Sequence, residues 1–586
     1  MFNRALIFVQ TWGLALLIAL TVSAFGLATS EAARGDAALS TWEAMLQVAM
    51  SNADDATGWA GYMHLLVKLT IAWAGVKVYM ATAGLKWDTF SARWLVKSHV
   101  VIVAGRDEDV APGASEQPDK RDLALELALA IAPREDVVLA LPEIDEGQRS
   151  RLWEAGVRVI ADRLPTAQLL EATGAARARM LIAMRDDYSQ NIALTHAAVS
   201  PATSNTRLEV KCLIEPLSVR REFRIEEYFD EPARPQIRVF SEPELIARRL
   251  AHAFPPDAPV AGSDSEGVHV VIVGLGSVGQ SILVQLARQG HYRSGKKPKV
   301  TVVDRSVGDR WREAREAYPA LERWLQVEKE EARFEAVGMD QIKKWLTDER
   351  PVTVAYVCTR DEIVNLRIAR LLIEGTKGQT RPDRPVAAKV VALDPAGGCV
   401  LADFAAHGGH EGRFHLFSLV RSSEGFLTEM DDTRARQFHE DYCRSDDERV
   451  RTEPGYQGAD ANMAWSVLPE TLRNANRMTA DHFDVKMRAI GCRIVPRDQA
   501  AGEHATLTPG EIEVLSIMEH NRWWADRSLD GWTLGNPRNN DLKIHPNMVP
   551  YEALSEADKQ KDRNNVQNMV KVLSQEGMVI VRDTAA

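Results

Sequence analysis

Gly274, Gly276 and Gly279 stand in the stretch "VIVGLGSVGQSILVQLARQG" (Val271 to Gly290), after an apolar run and before a helical pattern. Glycines at this spacing let backbone N–H groups and a helix N-terminus approach phosphate oxygens, which is anion binding rather than bond-making chemistry. Ser277 and Val278 fill the turn, and "VTVVDR" delivers Asp304 at the end of the next apolar run, at about the separation of a carboxylate that holds ribose hydroxyls. Such an acid favours NAD or an adenine nucleotide over NADP, a preference that the adjacent Arg305 weakens. A second set lies near the carboxyl end, where His520, Trp523 and Arg527 fall at offsets 0, +3 and +7, one face of a helix. Trp532 and Arg538 follow, around a turn containing Gly531 and Gly535. Aromatic planes with guanidinium groups suit a base and a phosphate, and the same tryptophans equally suit the core of a small domain. No His, Lys or Tyr constellation fit for hydride or acyl transfer accompanies the glycines, so sensing is favoured over catalysis.

The elements that must position these residues read as two tandem Rossmann-like lobes, an α/β pattern in which short apolar runs alternate with helical segments. In the first lobe, expected over residues 98–255, the strands are 99–105, 136–141, 157–162, 178–184 and 208–214. Its glycine fingerprint is replaced by "AGRDEDVAP", so its phosphate site is expected to be lost and its role to be assembly or coupling. The second lobe, over 267–421, carries the full G-x-G-x-x-G. Both lobes share a further pattern: "VTVAYVCTRDEIVNLRIARLL" and "ARMLIAMRDDYSQNIALTHAA" each run from a strand through Arg-Asp-acid to an Asn that opens a helix. With "VRVIADRLPTAQLLEATGAARA" upstream, the lobes resemble the RCK family, also called TrkA-N, cytoplasmic nucleotide-binding regulators of potassium channels and transporters. The resemblance implies that Thr359, Arg360, Asp361 and Asn365 border the nucleotide cleft together with Gly276, Ser277, Val278 and Asp304. It also implies a homo-oligomer, a tetramer by analogy with that family.

Ahead of the lobes, Ala5 to Ala28 is apolar, uncharged and long enough to cross a hydrocarbon core, and Trp59 to Ala83 is a second candidate span carrying His64, Lys68 and Lys77. Arg4 precedes the first run and Lys86, Arg93 and Lys97 follow the second, while the loop between them is acidic. Residues 1–95 are therefore expected to form a membrane hairpin embedded in lipid, with both termini cytoplasmic, in the cell membrane (the inner membrane of a Gram-negative cell). The order of helix, short helix ("LSTWEAMLQVAM"), helix and nucleotide fold resembles the two-helix potassium-channel pore family. "SNADDATG", with Asp54 and Asp55, stands where that family has its carbonyl filter and departs from it, and Lys68, deep in the second run with His64 one turn earlier on the same face, suits a polar stripe, so these four are the candidate pore residues.

Beyond residue 422 the alternation ends: a helical connector is expected over 422–504, and a mostly helical module over 505–586. The run from "EHNRWWADRSL" to "SEADKQKDRN" resembles the repeat domain of ryanodine receptors (RyR) through His520, Trp523, Arg527, Gly531, Trp532, Gly535, His545, Pro546, Pro550, Tyr551, Leu554 and Lys559. A formal net charge of -11 over 586 residues argues against nucleic acid as a partner, and five scattered cysteines lack metal-ligand spacing. Together these features point to a ligand-gated, channel-like membrane protein governed by nucleotide binding to its RCK-like lobe and by a small nucleotide-like ligand at the RyR-type module. The alternatives are a membrane-anchored regulator of a separate transporter and an NAD-dependent oxidoreductase.

Overall fold

The computed structural model describes residues 88–105, 120–161, 164–200, 208–225, 236–260, 267–346, 350–377, 388–394, 412–418, 432–452, 461–500 and 504–583. Both apolar runs expected to span a membrane, and with them Asp54, Asp55, His64 and Lys68, lie outside the described residues. Among the described residues no helix is long and apolar enough to cross a membrane. The chain forms two compact units that divide between Val210 and Lys211.

The first unit alternates β1 (Val100–Gly105), α1 (Lys120–Ile131), β2 (Val137–Leu141), α2 (Glu146–Glu154), β3 (Arg158–Ala161), α3 (Thr166–Ala172), β4 (Met180–Arg185) and α4 (Tyr188–Ala198). The strands are parallel in the order β3-β2-β1-β4, with Val100 level with Val137 on one side and Met180 on the other. Every residue of β1 and β2 is buried, the continuous apolar signature of a parallel sheet covered on both faces. β5 (Glu209–Leu213) follows β4, its Glu209 N–H on the Arg179 carbonyl at 2.9 Å.

The second unit holds α5 (Leu217–Ile225), β6 (Gln236–Phe240), α6 (Glu242–Ala253) and then the second lobe: β7 (His269–Val273), α7 (Ser277–Gln289), β8 (Lys299–Asp304), α8 (Val307–Ala317), α9 (Leu321–Trp324), β9 (Gln326–Glu331), α10 (Met339–Leu346), β10 (Val354–Val357), α11 (Glu362–Gly375), β11 (Lys389–Asp394) and β12 (Phe414–Ser418). The sheet order is β12-β11-β10-β7-β8-β9, so the sequence direction reverses between β7 and β10, where doubly wound sheets bind ligands. Alternate residues of β7 enter opposite cores, Val270 and Ile272 on one face, Val271 and Val273 on the other. Ile246, Ala247 and Leu250 of α6 belong to the first of these cores, so α6 packs with the second lobe. β9, "QVEKEE", is an exposed edge protected from pairing by its charges.

The carboxyl-terminal region contains α12 (Thr433–Thr452), α13 (Glu470–Ala489), β13 (Cys492–Pro496), α14 (Pro509–Leu529), β14 (Thr533–Leu534), β15 (Ile544–His545), α15 (Glu556–Gln575) and β16 (Met578–Arg582). Within the expected helical connector α13 starts at Glu470, behind Pro469, and Trp465–Val467 forms only a 3-10 turn. β13 and β16, which pair antiparallel, carry no distinct signal in the sequence, because each is a single short apolar run that reads equally well as a helix end. α14 starts with a capping box in which the Thr508 hydroxyl accepts the Glu511 N–H and Glu511 returns the bond to the Thr508 N–H, with Pro509 in the first turn.

Candidate functional site

β7 runs straight into the glycine turn, and α7 begins at Ser277 with Gly276 in the capping position. Gly274 has φ +94°, and a Cβ there would lie 3.0 Å from the Cys358 carbonyl group and 3.1 Å from the Thr359 nitrogen, so the turn closes against the exit of β10. At Gly279 a Cβ would lie 2.1 Å from the Gly274 oxygen, which is why the first turn of α7 can sit on the loop that precedes it. Gly276 is different. Its backbone is extended (φ -71°, ψ -167°), it has no side chain to cap α7, and a Cβ would meet no atom within 4 Å. Two glycines are thus demanded by packing, while the space at the third, facing the N-terminus of α7, is open to an anion.

Asp304 ends β8 beside this turn, where Oδ2 accepts the Leu275 N–H at 2.7 Å and Oδ1 accepts the Ser306 N–H at 2.9 Å. The carboxylate therefore shapes the loop and retains lone pairs for ribose hydroxyls. Arg305, expected to bear on the 2′ position, is engaged elsewhere: it pairs with Glu335 and lies 5.3 Å from the Phe334 ring centroid. Asn365, which by the resemblance borders the cleft, is bound throughout by the protein itself. It is fully buried, its Oδ1 accepts the Thr359 N–H at 3.1 Å, and its Nδ2 donates to the Thr359 and Leu393 carbonyls at 3.0 and 2.9 Å. It clamps the β10 exit. Asn191 in the first unit does the same, bonding the Arg185 N–H at 2.7 Å and the Arg185 carbonyl at 2.9 Å. Asp361 caps α11 through the Val364 N–H at 2.9 Å, as Asp187 caps α4 through the Ser189 N–H at 2.8 Å. The repeated Arg-Asp-acid-Asn pattern is therefore a folding device. Ser277, Val278 and Thr359 are partly exposed at the mouth, and Arg360 is exposed. In the first unit Gly105 keeps φ +99°, the backbone of Gly274, and the "RDEDVAP" that follows lies outside the described residues.

The second cluster assembles on α14. Trp523 packs edge-on against His545 with centroids 4.9 Å apart, Trp532 lies 6.2 Å from the same imidazole, and the Arg527 guanidinium stands 5.2 Å from the Trp532 ring. Arg538 is exposed, its Nε donating to Asn540 at 2.9 Å. Burial pushes the His545 imidazole down to about 4, and the positive charges of Arg538, Arg527 and Lys561 push in the same direction. His545 is thus a neutral ring in a cationic surround, which suits an aromatic anion. His520 does not join this surface. It is 2 % exposed, its Nε2 donates to the Val549 carbonyl at 2.7 Å and its Nδ1 lies 3.3 Å from Asp562, tying α14 to α15.

Sequence reasoning passes over Trp524 and Arg288. Trp524 is buried, 5.3 Å from Trp324 and with the Arg323 guanidinium 4.3 Å from its centroid. Arg288, near the end of α7, reaches Asp530 at 3.0 Å and Asp526 at 3.6 Å, both on or just beyond α14. The helix that opens on the glycine turn thus ends on α14 and the turn after it. A small recess of about 40 Å³ lined by Ser241, Arg248, Ser281, Arg288, Asn474 and Arg477 lies along α7, but carboxylates already hold its arginines: Asp481 on Arg248 at 2.6 Å and Asp432 on Arg477 at 2.7 Å. Among the described residues no cluster of His, Cys, Asp or Glu could hold a metal ion.

Residues 510–582 match the RyR domain family, so the carboxyl-terminal module is of that type. Among solved structures, a dipicolinate synthase chain from Bacillus halodurans is 12% identical, over 57% of this chain and 98% of that one, with a TM-score of 0.21. Its counterpart from Bacillus subtilis, also a dipicolinate synthase, is 12% identical, over 57% and 96%, at 0.20. A glycosyltransferase from Rickettsia africae ESF-5 is 11% identical, over 67% and 96%, at 0.19. Scores this low carry no argument about activity.

Proposed function

We propose that this chain is a nucleotide sensor. In this reading the second lobe takes the phosphates of NAD or an adenine nucleotide on the Gly274–Gly279 turn. The RyR-type module takes a second, nucleotide-like anion on Trp523, Trp532, Arg527 and Arg538. Both ligands bias a hairpin made of residues 5–28 and 59–83 in a ligand-gated, channel-like homo-oligomer in the cell membrane.

The observation that carries the reading is the open space at Gly276. A glycine that no neighbouring protein atom requires, set at the N-terminus of α7 (Ser277–Gln289) and beside Asp304, is what a phosphate-binding turn needs. Bound there, the nucleotide would gain the backbone N–H groups of the α7 N-terminus for its phosphates, with Asp304 beside the turn for a ribose. Regulation then follows from any difference in affinity between two states of the assembly. The resemblance to RCK regulators supports the same direction, and the cost of an ammonium in mid-membrane supports a Lys68, one turn after His64, that faces a water-filled path.

The test uses the full chain in liposomes. Calorimetry with NAD and adenine nucleotides measures binding at the glycine turn, and ion flux is recorded with and without them. Nucleotide-dependent flux whose reversal potential moves in Lys68→Glu supports a conducting hairpin. Binding without flux leaves a membrane-anchored regulator of a separate transporter. Absence of binding by the whole panel refutes the sensor.

A further inference from the structure

The described chain begins with a short helical stretch, residues 88–95, that ends in a π-helical turn, Ser91–Leu95. Its two faces differ sharply. Asp88, Ser91, Ala92 and, just beyond, Val96 are buried, at 5 %, 3 %, 0 % and 4 % exposure. Phe90, Trp94 and Leu95 are 49 %, 57 % and 56 % exposed, and Arg93 and Lys97 are exposed with them.

The inner face is held firmly to the first lobe. Arg158 Nε donates to the Ser91 hydroxyl at 2.8 Å, and Arg177 donates to the carbonyls of Ala92 and Trp94, each at 3.2 Å. The Ser98 N–H returns to the Arg177 carbonyl at 2.8 Å. Gly174, at φ +67°, admits the segment because a Cβ there would lie 2.4 Å from the Ala92 oxygen. Arg93 pairs with Glu171 and stands 5.1 Å from the Trp94 ring centroid. The segment therefore cannot roll, and its outward face of two aromatics, a leucine and two cations is fixed in orientation.

We infer that this outward face rests on the lipid headgroup region of the bilayer. The inference rests on the membrane reading above and goes further, because it names the surface that sets the first lobe against the membrane. Only Gly84 to Trp87 separate Ala83, the end of the second apolar run, from Asp88, a reach of roughly 15–20 Å even when extended. A span ending at Ala83 leaves Phe90–Leu95 at the interface. The composition fits that depth: tryptophan seats at the headgroups, leucine and phenylalanine reach the acyl boundary, Lys97 faces lipid phosphates, and Arg93, already paired with Glu171, adds its aliphatic stem. These charges match the cytoplasmic orientation expected from Arg4, Lys86 and the acidic loop. Since Ser91 and Ala92 are bound to the lobe, movement of the span would be passed directly to the sheet.

The experiment labels Leu95→Cys and, as a control on the second lobe, Ile363→Cys (58 % exposed in the parent) with a small fluorophore in full-length protein reconstituted into liposomes. The parent chain treated identically serves as the blank for native cysteines. Phospholipid brominated near the headgroup is expected to quench the residue-95 label at least twofold more than the residue-363 label, and aqueous iodide is expected to show the reverse order. Equal iodide quenching at both sites, in protein that resists alkaline extraction, overturns the inference while leaving the membrane reading intact. Protection from both quenchers overturns it in favour of a contact between copies of the chain. Release of the protein by alkaline extraction removes the membrane reading itself, and the inference with it.

Discussion

Gly276→Asp separates ligand binding from folding. At this position φ is negative and a Cβ meets no protein atom within 4 Å, so the larger side chain enters open space. Aspartate is also a better helix cap than glycine and places a negative charge at the N-terminus of α7, so the folded chain should keep its stability or gain a few tenths of a kcal/mol. A nucleotide loses on both counts. The carboxylate occupies the position of a phosphate oxygen and repels the rest of the phosphate chain. Losing one or two charge-assisted hydrogen bonds at about 1.5–3 kcal/mol each weakens binding by roughly a hundredfold. Gly279→Ala is the contrasting control, because its Cβ would lie 2.1 Å from the Gly274 oxygen and the turn itself must shift. Calorimetry gives the dissociation constants and thermal denaturation the stabilities, both on the full chain. The expected pattern is a stable, non-binding Gly276→Asp and a destabilised Gly279→Ala. Undiminished nucleotide affinity in a folded Gly276→Asp protein would refute the assignment of the phosphate site.

Asn365→Ala removes the bonds that join the β10 exit to Leu393 and should cost about 2–4 kcal/mol in denaturant unfolding, because the Thr359 N–H and two carbonyls lose their partner. Arg288→Ala takes the nearby cation from the buried Asp526 and should destabilise by about 3 kcal/mol or more, with Arg288→Met less harmful only if Asp526 is replaced by Asn as well. Burial raises the Asp88 carboxyl from 3.8 to about 6, so the folded chain holds a proton that the unfolded chain has released. Its stabilisation is present below about pH 4 and lost as pH rises through 6, about 3 kcal/mol in all, so Asp88→Asn should raise the melting temperature near neutral pH and flatten its pH dependence. Trp523→Ala should weaken the anion bound by the RyR-type module roughly ten- to hundredfold without moving affinity at the glycine turn by the direct route, as titration with a nucleotide panel would read.

Much of the site was legible in the residues because its requirements are local. A glycine triplet between a strand and a helix, with an acid ending the next strand, follows from backbone geometry alone, and Gly274, Gly276, Gly279 and Asp304 do meet at the carboxyl ends of β7 and β8. The roles within that group were not legible. Asn365 and Asp361 follow an apolar strand run as cleft residues would, but what they do depends on the atoms around them, and those atoms belong to the loop after β10, to α11 and to β11. Arg305 was turned away by Glu335, thirty residues distant.

The amino-acid order by itself determined the alternation of strand and helix, the two doubly wound lobes and the helix face carrying His520, Trp523 and Arg527, since periodicity and turn chemistry act within a few residues. Tertiary structure alone decided which members of that face are core and which are surface. His520 is sealed between Val549 and Asp562, whereas Trp523 meets His545 at the cationic mouth. It also decided that Arg288, one of many arginines in helical spacing, joins α7 to Asp530. Burial and charge pairing are properties of the assembled neighbourhood, and the groups that create it here lie up to 242 residues apart.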